Sequence, residues 1–394
     1  MEYIFSERSK NLKPSVIRQI FKYASDPSYI SLSAGNPSPQ AFPAEEIRDI
    51  SNAILTEKPV DALQYSITEG YAPLIKQLKE YMQTKHQISL DRDSLIITAG
   101  AQQVMDLTAK SLLNEGDIVV CEAPSFIGSL NTFRSYNAKL IGVDVLEDGI
   151  DIDQLSLVLR ENERVKLIYT IPNFQNPSGI TMSGEKRRQL YDLAKKYNVL
   201  ILEDDPYGEL YYVEEPPRSI KSLDKDGLVI YAGSFSKTIS PGLRVGWCVA
   251  PAEIIQKLVV CKQGSDVHTN IWAQQVCSRF LDRYDYDLHL SRLRSLYSEK
   301  ARFGTSLLET FAPDISYNKV TGGLFIWCKV PENIQMLDFV QQAIEQKVCV
   351  VPGNAFLTDE QQKSQAFRIN FTTPTDAQLE KGIKILGEII IWKN

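Results

Sequence analysis

Histidine is scarce in this 394-residue chain: the three present, His86, His268 and His289, stand alone, with no spacing that would bring two imidazoles onto one metal ion. The six cysteines (Cys121, Cys248, Cys261, Cys277, Cys328, Cys349) form no CxxC pair, and most sit in apolar runs such as "IVVCE" and "GWCVA". They read as buried thiols of a reducing compartment, which excludes a disulfide frame. An excess of positive charge is missing too. The 43 basic and 49 acidic residues leave a net charge of −6, no footprint for nucleic acid or an anionic membrane, so a small-molecule partner is expected. No apolar run approaches the ~18 residues of a membrane span, and the opening "MEYIFSERSKNLKPS" lacks a basic segment leading into an apolar one. A cytoplasmic location is expected. Three nucleotide and hydrolase signatures are also absent: no GxGxxG opens a helix, no GxSxG elbow occurs, and Ser236 precedes Lys237 where a P-loop needs glycine.

What is present is an alternation of short β-branched runs with helical patterns, the mark of an α/β fold with parallel strands and crossover helices. Seven runs read as one wide, mostly parallel sheet: "SLIIT", "DIVVCE", "KLIGVDV", "VKLIYTI", "NVLILED", "LVIYAGS" and "RVGWCVA", spread over residues 94–250. Their near-continuous apolar character fits a sheet covered on both faces. Helical stretches lie between them, as in "AQQVMDLTAKSLL", "GEKRRQLYDLAKKY" and "PAEIIQKLVVCKQ". Beyond residue 270 the pattern turns to long helix, then strands around "GGLFIWCKV" and "FRINFT", then a closing helix, which predicts a smaller α+β lobe. The expected division is a large domain over 51–285 and a small one built from 286–394 together with 1–50, whose helical stretch is "SVIRQIFKYA". No internal repeat or linker-like tract interrupts the chain.

Ligands of open α/β sheets bind beyond the carboxyl ends of the strands. Four polar clusters fall there: "TAGAQQ" with Gly100, "NFQNPSG", the turn from Asp204 to Tyr207, and "SFSK". Gly100 permits close backbone approach at the start of a helix, an anion site or simply a routine turn. In "ILEDDPYGEL" carboxylates follow directly on four apolar residues, so either Asp204 faces something protonated or Asp204 and Asp205 open a solvated loop. Lys237 alone would be a surface charge, but Ser234, Ser236 and Arg244 surround it with phosphate donors. An amine for an imine, a carboxylate for a ring nitrogen and donors for a phosphate describe a pyridoxal phosphate site.

With those motifs in view, the chain resembles the fold-type I pyridoxal phosphate enzymes, most closely the class I/II aminotransferases of the alpha-aminoadipate and kynurenine kind. "SFSKTISPGLRVGW" is similar to the family's cofactor-lysine motif, "NFQNPSG" to its asparagine-proline motif, "EDDPYGEL" to its aspartate-to-tyrosine motif and "FRINF" to its carboxylate-arginine motif. The resemblance implies that Lys237 holds the cofactor as an imine and moves protons, and that Asp204 keeps the pyridine nitrogen protonated. It implies that Asn176 and Tyr207 bond the phenolic oxygen, and that Ser234, Ser236, Arg244 and the backbone at Gly100, Ala101 and Gln102 bind the phosphate. Phe126 resembles the aromatic residue stacked on the ring, and Tyr65 the tyrosine that reaches the neighbouring subunit's phosphate, which implies a homodimer with active sites at the interface. Arg368, Asn176, Gly35 and Arg18 resemble substrate contacts, Arg368 on the α-carboxylate and Arg18 on the distal end. Ala101 and Phe126 depart from the hydroxyl residue and tyrosine that relatives often carry. The implied reaction moves an amino group from a 2-aminoadipate-like, aromatic or medium-sized L-amino acid to a 2-oxo acid such as 2-oxoglutarate. Two other readings share the fold: a β-elimination or decarboxylation using the same lysine and aspartate, and the effector domain of MocR-type transcription regulators.

Overall fold

The structure, a computed structural model, describes residues 3–10, 23 and 26–391. The helical stretch expected around "SVIRQIFKYA", and Arg18 within it, lie outside the described residues, Tyr23 excepted. After a short strand β1 (Ile30–Ser31), the large sheet is built from β2 (Asp93–Thr98), β3 (Ile118–Ala123), β4 (Lys139–Leu146), β5 (Gly149–Ile150), β6 (Val165–Thr170), β7 (Leu200–Asp205), β8 (Val229–Ser234) and β9 (Gly246–Pro251). All seven expected runs are strands of this sheet. The eighth is the two-residue β5, which turns back antiparallel onto β4.

The order across the sheet is β2-β9-β8-β7-β6-β3-β4-β5. Strands β4, β3, β6, β7 and β8 run parallel to their neighbours in that series. β9 does not: it is antiparallel to both β2 and β8, with Gly246 opposite Thr98 on one side and Ser234 on the other. The start of β9 therefore lies at the sheet edge where β2 and β8 end, and Arg244 is delivered to that edge from the amino end of a strand.

Side chains alternate across a strand, and both faces are apolar. Ile96, Val119, Leu167, Leu202, Ile230 and Cys248 pack into one core. Their neighbours by one residue face the other side, in cores that include Leu95, Ile97, Trp247 and Val249 and Val120, Ile168, Ile201 and Val229. This two-sided burial explains the continuous apolar runs. Helix ends follow local signals. Over Gly184–Tyr197 the Ser183 side chain accepts from the Lys186 amide at 3.3 Å, and Asn198 stops the helix in the left-handed conformation at φ 52°.

A second sheet, in the order β10 (Ser316–Tyr317), β11 (Phe325–Lys329), β14 (Ala366–Asn370) and β13 (Val351–Pro352), is antiparallel. Helices Met336–Glu345 and Asp376–Ile391 cover it, with Phe339, Phe367, Ile369 and Leu386 fully buried. β1 joins this core by pairing with β12 (Val348–Cys349). The helix Tyr286–Phe311 serves both cores, Leu290 and Leu293 packing with the large sheet and Leu307 and Leu308 with the small one. The helix Ala44–Glu57 sends Ile50 and Ile54 into the large-sheet core. All six cysteines are free, five of them buried. No helix among the described residues is long and apolar enough to cross a membrane.

Candidate active site

The carboxyl edge of the large sheet opens into a cavity of about 740 Å³. Its lining brings together Lys237, Asp204, Asn176, Tyr207, Ser234, Ser236, Arg244, Phe126, Ala101, Gln102, Gly35 and Arg368. These residues come from seven separate segments of the chain. Arg368 arrives from β14 of the small sheet and Gly35 from the segment after β1, so the cavity lies between the two cores.

Lys237 is half-buried and its Nζ donates to the Gly35 carbonyl at 2.8 Å. Desolvation lowers its pKa to about 8, with the Arg368 and then the Arg244 charge adding to the effect and Asp204 opposing it. Arg368 thus outweighs Arg244 as the cationic neighbour, which the spacing of the lysine motif could not reveal.

Asp204 is buried on the same face as Leu202, and Asp205 is buried on the opposite one, so the solvated-loop alternative for this pair does not hold. Asp205 accepts from Asn173 Nδ2 and the Gly208 amide, both at 2.9 Å, and so shapes the turn that carries Tyr207. Asp204 Oδ2 accepts from the Tyr169 hydroxyl at 2.8 Å, and that hydroxyl in turn accepts from Ser129 Oγ at 2.8 Å. Asp204 Oδ1 is buried without a partner. Burial raises the Asp204 pKa to about 7 against the opposing Tyr169 hydrogen bond. A buried carboxylate oxygen facing no donor fits a protonated ring nitrogen, which would supply the missing hydrogen bond and charge.

Asn176 links two other groups. Its Oδ1 accepts from Arg368 Nη1 at 2.7 Å, and its Nδ2 donates to the Tyr207 hydroxyl at 3.4 Å. Arg368 also donates from Nη2 to the Ser33 carbonyl at 2.7 Å, and its guanidinium lies 4.1 Å from the centre of the Phe325 ring. Its Nε–H is buried without a partner, and among the described residues no carboxylate pairs with it. Desolvation pushes its pKa down to about 10. Such a buried, unpaired cation is matched by an anionic ligand.

At the other end, Gly100 precedes the helix Ala101–Leu112 with φ 79°. A Cβ there would stand 2.6 Å from Arg244 Nη2. Arg244, exposed at the cavity mouth and itself left-handed at φ 53°, donates to the Ala99 carbonyl at 2.8 Å. Ser234 Oγ donates to Ser236 Oγ at 2.8 Å, and the Ser236 amide donates to Ser234 Oγ at 3.1 Å. Hydroxyls, a guanidinium and helix N-terminal amides around one point suit a phosphate. The Gln102 side chain is occupied elsewhere, bonding the Gly128 carbonyl and Thr132 Oγ1, so only its backbone is free for that role.

Tyr65 is not in this cavity. It is 82% exposed, with its ring edge-on to His268 at 5.9 Å. Tyr169, Ser129 and Ser33 belong to the site's hydrogen-bond network and carried no sequence signal of their own.

The residues present therefore fit pyridoxal phosphate: an amine of lowered pKa, an unpartnered carboxylate oxygen and a phosphate cradle converge on one cavity. Residues 27–386 match the model of the family described as aminotransferase class I and II. The chain belongs to that family. This aminotransferase is 37% identical to aromatic-amino-acid aminotransferase 1 of Thermococcus litoralis, over 99% of this chain and 94% of the relative. It superposes with a TM-score of 0.94 on Pyrococcus horikoshii kynurenine aminotransferase in complex with PMP, at 37% identity over 98% and 97% of the two chains. With LysN, the alpha-aminoadipate aminotransferase of Thermus thermophilus complexed with N-(5'-phosphopyridoxyl)-L-leucine, the TM-score is 0.89 at 34% identity, covering 99% and 97%. An HTH-type transcriptional regulator of Bacillus subtilis is 31% identical over 95% of this aminotransferase, which spans 77% of the regulator. The fold is that of fold-type I aminotransferases, the cofactor is pyridoxal phosphate, and the activity is pyridoxal phosphate-dependent amino-group transfer.

Proposed function

We propose that this aminotransferase takes an aromatic, 2-aminoadipate-like or medium-sized L-amino acid as donor and a 2-oxo acid such as 2-oxoglutarate as acceptor, in a ping-pong cycle. The names of its relatives support that donor range. The cofactor, when bound, supplies an electron sink for the bond broken at the substrate Cα. The chain's own residues do the rest. Asp204 Oδ1 would accept a hydrogen bond from the protonated ring nitrogen, and its negative charge would keep the proton there. Asn176 Nδ2 and the Tyr207 hydroxyl would orient the ring through its phenolic oxygen, and Phe126 would supply an aromatic face for it. Gly100, Ala101 and Gln102 through their backbone, with Ser234, Ser236 and Arg244, anchor the phosphate. Lys237 Nζ, first the covalent anchor, then takes the Cα proton as general base and returns it as general acid. Arg368 grips the α-carboxylate common to donor and acceptor, with Asn176 and the Ser33 and Gly35 backbone lining its approach; Arg18 is reserved for the distal end of the substrate.

Tyr65 is proposed to serve the phosphate of a second copy in a homodimer, the lobes to divide as 51–285 against 286–394 with the N-terminal segment, and the protein to work in the cytoplasm. The observation that carries the reading is the unpaired Arg368 guanidinium beside the half-buried Lys237 amine: a carboxylate gripped by the first puts its Cα next to the second. Mixing the holoenzyme with an amino acid panel and no acceptor tests it. One equivalent of 2-oxo acid per active site, with conversion of the cofactor spectrum to its aminated form, is expected. Continuous release of pyruvate and ammonia from a cysteine conjugate under the same conditions would make it a β-lyase instead.

A further inference from the structure

Tyr169 is fully buried in the middle of the large sheet, on the face shared by Leu167 and Leu202, and its ring packs edge-on against Phe133 at 5.4 Å. A phenylalanine would fill that space without the cost of burying a hydroxyl. The hydroxyl has two partners at 2.8 Å: it donates to Asp204 Oδ2 and accepts from Ser129 Oγ. Because Ser129 fills the acceptor side, the phenolic proton has one destination, the carboxylate. Asp204 Oδ1 meanwhile has no protein partner, and the residue lines the cavity. We propose that Tyr169 is a positioning residue for Asp204, occupying Oδ2 so that Oδ1 alone is left for the ring nitrogen of the cofactor. Ser129 completes the device by fixing the direction of the Tyr169 proton.

The electrostatics agree with the geometry. Burial raises the Asp204 pKa and the Tyr169 hydrogen bond opposes it, with the Asp205 and Glu122 charges adding smaller upward effects. Burial and the Asp204 charge drive the phenol's own pKa far up, so Tyr169 remains a donor throughout the working range. A hydrogen bond to a charged group is about twice as strong as a neutral one, and here it restrains the carboxylate rotamer as well.

The inference rests on the role proposed above for Asp204, and the Tyr169→Phe variant tests it. Pyridoxal phosphate should bind the variant roughly ten-fold more weakly by equilibrium dialysis, and kcat at saturating cofactor should fall by a similar factor. The KM for the amino donor should stay within about two-fold, because Arg368 is untouched. In an Asp204→Asn background, the Tyr169→Phe change should cost the cofactor affinity little further, since its partner is already altered. Parental affinity and kcat in Tyr169→Phe would overturn the proposal. So would an equal loss in both backgrounds, or a loss that tracks a lowered thermal midpoint of the apoenzyme, which would mark a packing role only. Failure of the unaltered chain to bind pyridoxal phosphate would instead remove the Asp204 reading on which the inference stands.

Discussion

An amine held beside two guanidinium groups in a partly dry cavity releases its proton more readily than one in water. Lys237 has a pKa of about 8 in the folded apoenzyme against 10.5 ordinarily. Between those values the unfolded chain binds more protons than the folded one, so this lysine makes stability rise with pH across that window. Below pH 8 the cost of burying the cation is fully present, and above 10.5 it is gone. A Lys237→Met apoenzyme has no such group. Its stability advantage over the parent should be largest below pH 8 and shrink steadily towards pH 10, as read by urea unfolding at a series of pH values. Parallel curves would show that the lysine is not held in this way. Asp204 titrates with the opposite sign, its pKa of about 7 removing stability as pH rises from 4 to 7, below the window from pH 8 to 10 in which the two proteins are compared. At this scale, Lys237, Asp204, Asn176 and Arg368 were legible because each sits in a polar cluster after an apolar strand or in a motif of known shape. Tyr169 was not, because within "VKLIYTI" it looks like one more packed residue. Nor was the Arg368–Ser33 contact, which joins the two ends of the chain.

At the scale of elements, seven strands were readable from β-branched runs, but the direction of β9 was not. Antiparallel and parallel strands buried on both faces share the same apolar pattern, so nothing in "RVGWCVA" announces the reversal. The reversal matters because it carries Arg244 to the end of β2, where Gly100 turns into the next helix. Gly100→Ala would put a side chain at φ 79° and 2.6 Å from Arg244 Nη2. The strain is on the order of 1–3 kcal/mol, and part of it is relieved only by pushing the guanidinium away. Pyridoxal phosphate affinity should fall about ten-fold or more, whereas binding of pyridoxal, which lacks the phosphate, should hardly change. Equal losses for the two ligands in fluorescence titrations would argue against a phosphate cradle at this turn.

At the scale of the whole molecule, two cores meet along the helix Tyr286–Phe311, and the cavity between them draws on both. Tyr65 stands outside it on an exposed apolar stretch with Val60, Leu63 and Ile67, a surface that suits the proposed second copy. If Tyr65 serves the neighbour's phosphate, hybrids of Lys237→Ala and Tyr65→Ala chains contain one site with both changes and one with neither. Mixing and refolding the two should restore tight cofactor binding and activity beyond either parent variant, and simple averaging of the two would contradict a shared site. The central claim is narrower: one amine, Lys237, performs the chemistry of this cavity. The absorbance of bound pyridoxal phosphate and the multiple-turnover rate of the Lys237→Ala protein test it most directly. Loss of the protein-linked cofactor band together with loss of turnover is the predicted result, and undiminished multiple turnover would contradict it.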